Sequence, residues 1–170
     1  SDLGQRLVEA ENASHMMKGD DTKNQAGEEI IAGLVQEGSP RLELIKRMIK
    51  AIDSEDTSLR ALQEIQVRFL LSASAAGVIE LRMDSDELRA AFKSQEGEMR
   101  RMLQESALSG AAYTYRDFSD AELEAYTEAL EQPQMQQVYE LLNAVQYEIM
   151  ADRFDVLAAR MADLRPGEEL

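Results

Sequence analysis

Cysteine is absent from the chain, which removes disulfides, thiolate zinc sites and thiol nucleophiles together. Tryptophan is absent too, so an aromatic-rich cleft of the kind glycoside chemistry needs has only Tyr and Phe to draw on. Histidine occurs once, as His15. A nucleophile–base pair would depend on that one side chain, which lies in a polar stretch and reads as a surface residue. Long apolar runs are missing as well. The longest charge-free stretch, 69–79, is too short and too rich in Ser, Ala and Gly to cross a bilayer, which takes about 20 residues. At the start, Ser1-Asp2-Leu3-Gly4-Gln5 has neither the basic head nor the apolar run of a signal peptide.

Positive charge is scarce. Eighteen Lys and Arg face 33 Asp and Glu, for a net charge of −15. Binding to a phosphate backbone depends on Lys and Arg displacing counterions, so nucleic acid is excluded as the expected partner. The imbalance is uneven: residues 1–40 carry −5, residues 41–116 balance, and residues 117–170 carry −10. In the balanced third, bases alternate with acids and form no run, which reads as a solvated, salt-bridged surface.

What is present is enough apolar material, 44% of 170 residues, for one folded domain over 1–170 with a real core. Gly and Pro punctuation with 3.6-residue periodicity predicts an all-α helical bundle of about seven helices and no strand. The first two helices run over 2–18 and 22–36, the second stopping at Gly38. Ser39-Pro40 opens a third, with core face Leu42, Ile45, Ile49 and Ile52. A long helix over 57–82, nearly uncharged in its middle, is expected at the centre of the bundle. Two further starts share one device: Asp84 with Glu87, and Ser119 with Glu122, each pair flanked by a hydrophobic staple (Met83–Leu88 and Phe118–Leu123).

The last helix, 133–164, has an apolar stripe that changes face. Val138, Leu142, Val145 and Ile149 form one seam; Met150, Phe154, Leu157, Met161 and Leu164 form a second. Two seams need two apolar neighbours. The second is expected to be exposed, and to contact another copy of the chain or an upstream helix, to be weighed against a helix that bends and packs wholly within its own chain.

Candidate chemistry is thin. His15-Met16-Met17 with Met99 and Met102 offers soft copper ligands, but Met is also the usual filler of helical cores, and one His without Cys assembles no metal site. The segment 53–64 has oxygen ligands at calcium-loop positions, yet Ser58 stands where the loop needs Gly. Acid pairs such as Glu28-Glu29 and Glu122 with Glu124 are commonplace among 33 acids. All five tyrosines, Tyr113, Tyr115, Tyr126, Tyr139 and Tyr147, lie close together in sequence. They are a candidate contact surface, led by Tyr113, Tyr115 and Tyr126, to be weighed against ordinary packing of the last helices.

Residues 5–13, QRLVEAENA, match 136–144, QQVYELLNA, at Gln5, Glu9, Asn12 and Ala13. With the segments Tyr115-Arg116-Asp117-Phe118-Ser119-Asp120-Ala121-Glu122-Leu123-Glu124-Ala125-Tyr126 and Glu131-Gln132-Pro133-Gln134-Met135-Gln136-Gln137, the sequence resembles the bacterial family called domain of unknown function 2059. The resemblance is clearest over 113–164, with a partial second copy of the motif at 1–13. It departs from the family pattern at Gln132, Met135 and Asp2. The resemblance implies an exported, periplasmic helical protein without an assigned activity, whose natural chain has a further helix upstream. The expectation is therefore a non-catalytic interaction or structural module of the cell envelope, with no cofactor, acting as a homo-oligomer or with a protein partner. The alternative is a small-ligand or metal carrier using Met and Tyr side chains in a helical pocket.

Overall fold

The computed structural model describes residues 1–17, 20–52 and 55–163, with only the backbone described at 20–21, 55–56 and 162–163. Among the described residues every regular element is an α-helix, and no strand occurs. The order is α1 (Asp2–Met16), α2 (Asp20–Glu37), α3 (Arg41–Ile52), α4 (Glu55–Ala75), α5 (Ser85–Ser94), α6 (Glu96–Thr114), α7 (Asp120–Leu130) and α8 (Pro133–Asp163). The all-α bundle class is as expected from the sequence.

Local chemistry sets the ends. Both capping boxes form. The Asp84 carboxylate accepts from the Asp86 and Glu87 amides at 2.9 Å, while Glu87 accepts from the Asp84 amide at the same distance. Ser119 and Glu122 repeat the exchange at the start of α7. Helix α2 stops at Gly38, whose φ of 61° lets the Ser39 N–H reach back to the Leu34 carbonyl at 2.9 Å.

Two boundaries differ from the sequence expectation. The helix expected over 57–82 ends at Ala75, because Gly77 adopts a φ of 70° and closes a second reversal of the same kind. Val78 N–H donates to Ala73 O at 2.8 Å and Gly77 N–H to Ser74 O at 2.9 Å. Val78 and Ile79 therefore pack from the connecting segment and not from a helix face. Among the described residues there are eight helices where about seven were expected, because the chain breaks at Gln95 between α5 and α6. There the Ser94 hydroxyl donates to Ala91 O at 2.6 Å, competing with the helical ladder, and Gly97 follows.

Contacts gather into two compact units. The first comprises Ser1–Glu55 and Arg101–Tyr139. Its core is built by α1, α3, α6 and α7 around Leu7, Ile45, Met48, Ala112, Tyr115, Phe118, Leu123 and Leu130. Helix α2 crosses α6 closely enough that a Cβ on Gly27 would lie 2.1 Å from Ser109 O. The second unit comprises Asp56–Arg100 and Glu140–Leu170, and its central cluster is Ala73, Val78 and Ala158 with Phe69, Ile79 and Met161 packed against it. Helices α6 and α8 each run unbroken from one unit into the other.

Candidate interaction surface

Helix α8 is apolar on two opposite sides. Along its inner side lie Tyr139, Tyr147, Met150, Ala151, Phe154, Ala158 and Met161, spaced mostly by three or four residues and all buried or half-buried. Phe154 meets Phe69 of α4 edge-on with ring centroids 5.5 Å apart, and Met161 packs on the Ala73–Val78–Ala158 cluster. On its outer side lie Val138, Leu142, Val145, Ile149 and Val156, with Leu141 and Leu157 on either flank. Leu142 is 55% and Val145 57% exposed, and Leu141 reaches 68%.

The expected roles of the two seams are thus reversed. Phe154, Met150 and Met161 of the second seam face inward; Leu157 alone among its described members is exposed, and Leu164 lies outside the described residues. The first seam is the one facing solvent. The physical reason is that the inner stripe continues N-terminally through Tyr147, Asn143 and Tyr139, residues with polar ends that an aliphatic count passes over. Tyrosine buries its ring as well as leucine does when its hydroxyl has a partner.

The tyrosine cluster finds such a partner inside the first unit. Tyr115 and Tyr126 both donate to the same Glu11 oxygen at 2.8 Å, and the Tyr126 and Tyr139 hydroxyls are 3.2 Å apart. Tyr115 is buried and Tyr126 half-buried, with both hydroxyls engaged inside the unit. Tyr113 is half-buried, with the Arg116 guanidinium 4.1 Å over its ring. Burial raises both the Tyr115 and Tyr126 hydroxyls well above the ordinary phenol range; at Tyr115 the Glu11 carboxylate adds to this, and at Tyr126 the neighbouring Tyr115 does. Phenols raised in this way stay protonated at neutral pH.

The acidic helix α7 is held by arginines from two other helices. Arg47 of α3 spans both Glu131 oxygens at 2.6 Å and reaches Glu124 at 2.5 Å. Arg41 pairs with Asp120 and donates to Tyr115 O at 2.8 Å, and Arg6 of α1 reaches Glu122 at 2.7 Å. Hydrogen bonds from Ser119 and Arg6 hold the Glu122 carboxyl down to about 2. In the second unit Arg68 contacts Glu148, Asp152 and Asp155 of α8, and Asp155 also accepts from Ser72 at 2.7 Å.

These pairs leave little open chemistry. A groove of about 480 Å³ over α3 and α7 is lined by Arg41, Arg47, Asp120 and Glu124, already engaged with one another or with Glu131. A cleft of about 300 Å³ between α4 and α6 is lined by Leu59, Arg60, Gln63, Glu96 and Arg100. Among the described residues no three His, Asp or Glu side chains converge as metal ligands. His15 and Met16 are exposed at the end of α1, Met102 is exposed on α6, and Met48 is core. The calcium-like segment cannot be placed, because Asp53 and Ser54 lie outside the described residues. Among the described residues no helix is long and apolar enough to cross a membrane.

No protein-family model, curated protein or solved structure matches the chain.

Proposed function

We propose that the chain is a non-catalytic interaction or structural module of the bacterial cell envelope, with the outer stripe of α8 as its working surface. The observation that carries this reading is the solvent-facing row Val138, Leu142, Val145, Ile149 and Val156 on one long helix. Scattered exposed apolar residues need no explanation, but a contiguous row along a helix marks a contact surface. Covering it would gain roughly 25 cal/mol for each Å² removed from water. The envelope location and bacterial origin rest on the family resemblance of residues 113–164.

The test is the double substitution Leu142→Glu with Val145→Glu, followed by far-UV circular dichroism and thermal unfolding. A working surface tolerates both charges with the helix content and midpoint kept near those of the parent. Collapse of the fold would make the stripe core and overturn the reading. The alternative of a ligand or metal carrier is separated by native mass spectrometry of protein purified without chelator. The bare-chain mass is expected; a stoichiometric bound species would favour the carrier. Fractionation of the source cells checks the location, and recovery in the cytosol overturns it.

A further inference from the structure

We propose that the outer stripe of α8 is covered by the same stripe of a second copy of the chain, the two helices running parallel and in register. The proposal rests on the reading of this stripe as the interaction surface and adds the identity of its occupant.

Spacing comes first. Val138, Leu142, Val145 and Ile149 are separated by four, three and four residues, and Val156 continues the series after Asp152. That is the 3.5-residue average of a two-helix seam, and it extends about 27 Å at 1.5 Å per residue. The opposite side of α8 is occupied by its own unit through Phe154, Ala158 and Met161, so the stripe is free to serve another molecule.

Charge then selects the occupant and its direction. One flank of the stripe carries Leu141, Glu148 and Asp155; the other carries Tyr139, Gln146, Arg153 and Arg160. In a parallel, in-register pair, a residue on the first flank faces the residue five positions later on the other helix. Glu148 then meets Arg153 of the second copy, and Asp155 meets Arg160. Two-fold symmetry makes each pair twice. An antiparallel pair covering the same stripe would instead set Glu148 against Glu148 of the second copy and leave Arg153 beside Tyr139, without an acid to meet it. Asp155 is already held by Arg68 at 2.6 Å and by Ser72, so the weight falls on Glu148, which is exposed and 3.3 Å from Arg68. Asp152 interrupts the seam. In register it faces Asp152 of the second copy, a like-charge pair whose cost Arg68, 3.2 Å from Asp152 in each copy, only partly offsets, and the net charge of −15 on each copy adds to that cost. The pairing is therefore weaker than that of an uninterrupted seam.

Sedimentation equilibrium of the whole chain in ~0.15 M salt tests this, over ~10–300 µM. The parent is expected to associate. Glu148→Arg alone and Arg153→Glu alone each place like charges across the seam and weaken association by about tenfold. An equimolar mixture of the two restores it, because each reversed charge then meets its opposite. Both variants change exposed residues, and their helix content is checked by circular dichroism. Val138→Cys adds a direction test, since the chain has no other cysteine. Mild oxidation cross-links a parallel pair, and an antiparallel one holds the two positions about 27 Å apart, beyond disulfide reach. A parent that stays monomeric throughout overturns the second copy as occupant while leaving the stripe available to a different partner. Association that is unaffected by the charge reversals, or a Val138→Cys protein that does not cross-link, overturns the parallel arrangement. Unfolding of the Leu142→Glu, Val145→Glu protein would instead remove the interaction-surface reading beneath it.

Discussion

Glu11 serves two tyrosines from different parts of the fold with one oxygen, Tyr115 beyond the end of α6 and Tyr126 in α7. Removing that acceptor leaves two partly buried hydroxyls without it, and an unsatisfied buried donor costs more than the bond it made was worth. Glu11→Ala is expected to lower stability by about 2 kcal/mol in urea unfolding, and Tyr126→Phe by about 1 kcal/mol. Equal, negligible effects would mean that water replaces the carboxylate. Gly27 gives a sharper test at the same scale. Ala is the better helix former by about 1 kcal/mol, so propensity predicts stabilisation by Gly27→Ala. Its Cβ would sit 2.1 Å from the Ser109 carbonyl oxygen, a backbone atom that cannot rotate away. The expected outcome is destabilisation by roughly 2–3 kcal/mol, with helix α2 pushed off α6.

At the scale of elements, α7 is fixed by its cap and by arginines on its neighbours, and its acid titration follows from that. The Glu122 carboxyl is lowered from an ordinary value of 4.5 to about 2. A carboxyl lowered in the folded state stabilises it fully above the ordinary value, and that contribution is lost as pH falls from about 4.5 toward 2. The Glu131 carboxyl, lowered chiefly by Arg47, and that of Asp155, lowered by Ser72 and Arg68, act in the same direction. Glu122→Gln keeps a side chain able to complete the cap but removes the titration. Its thermal midpoint is expected to fall less steeply than the parent's between about pH 4.5 and 2. Parallel slopes would mean that Glu122 is not held by Ser119 and Arg6 in solution. The same elements show what is legible in sequence. Both caps can be read because their donors and acceptors lie within three residues of each other. The stop at Gly77 is hidden because Val78, Ile79 and Leu81 continue the apolar rhythm past it, and only the positive φ reveals that the helix has ended.

For the whole molecule, the charge pattern acquires a cause. The balanced stretch 41–116 supplies Arg41 and Arg47 to acids of α7, and Arg68 to acids of α8, so the acidic end of the chain is compensated by its middle. We propose that 1–170 nonetheless unfolds as one domain, because α6 and α8 are each shared by both units and melting either unit frays helices of the other. Tyrosine fluorescence reports chiefly on the first unit, which holds Tyr113, Tyr115, Tyr126 and Tyr139, whereas far-UV circular dichroism reports on both. Coincident urea transitions are expected from the two signals. A separated pair would make the units independent domains.

The helix class, the capped starts and the stop at Gly38 belong to the sequence alone, since each depends on periodicity or on groups a few residues apart. Which side of α8 faces water belongs to the tertiary structure. Both sides are apolar, so local pattern cannot rank them; the choice goes to the side whose neighbours fit. Phe69 and the Ala73–Val78–Ala158 cluster receive Phe154 and Met161, while Tyr126, itself held by Glu11, meets the Tyr139 hydroxyl. Packing against residues of α4 and α7 thus leaves the more aliphatic stripe in solvent, because a buried ring with a satisfied hydroxyl competes with a buried leucine only where distant residues supply the partner.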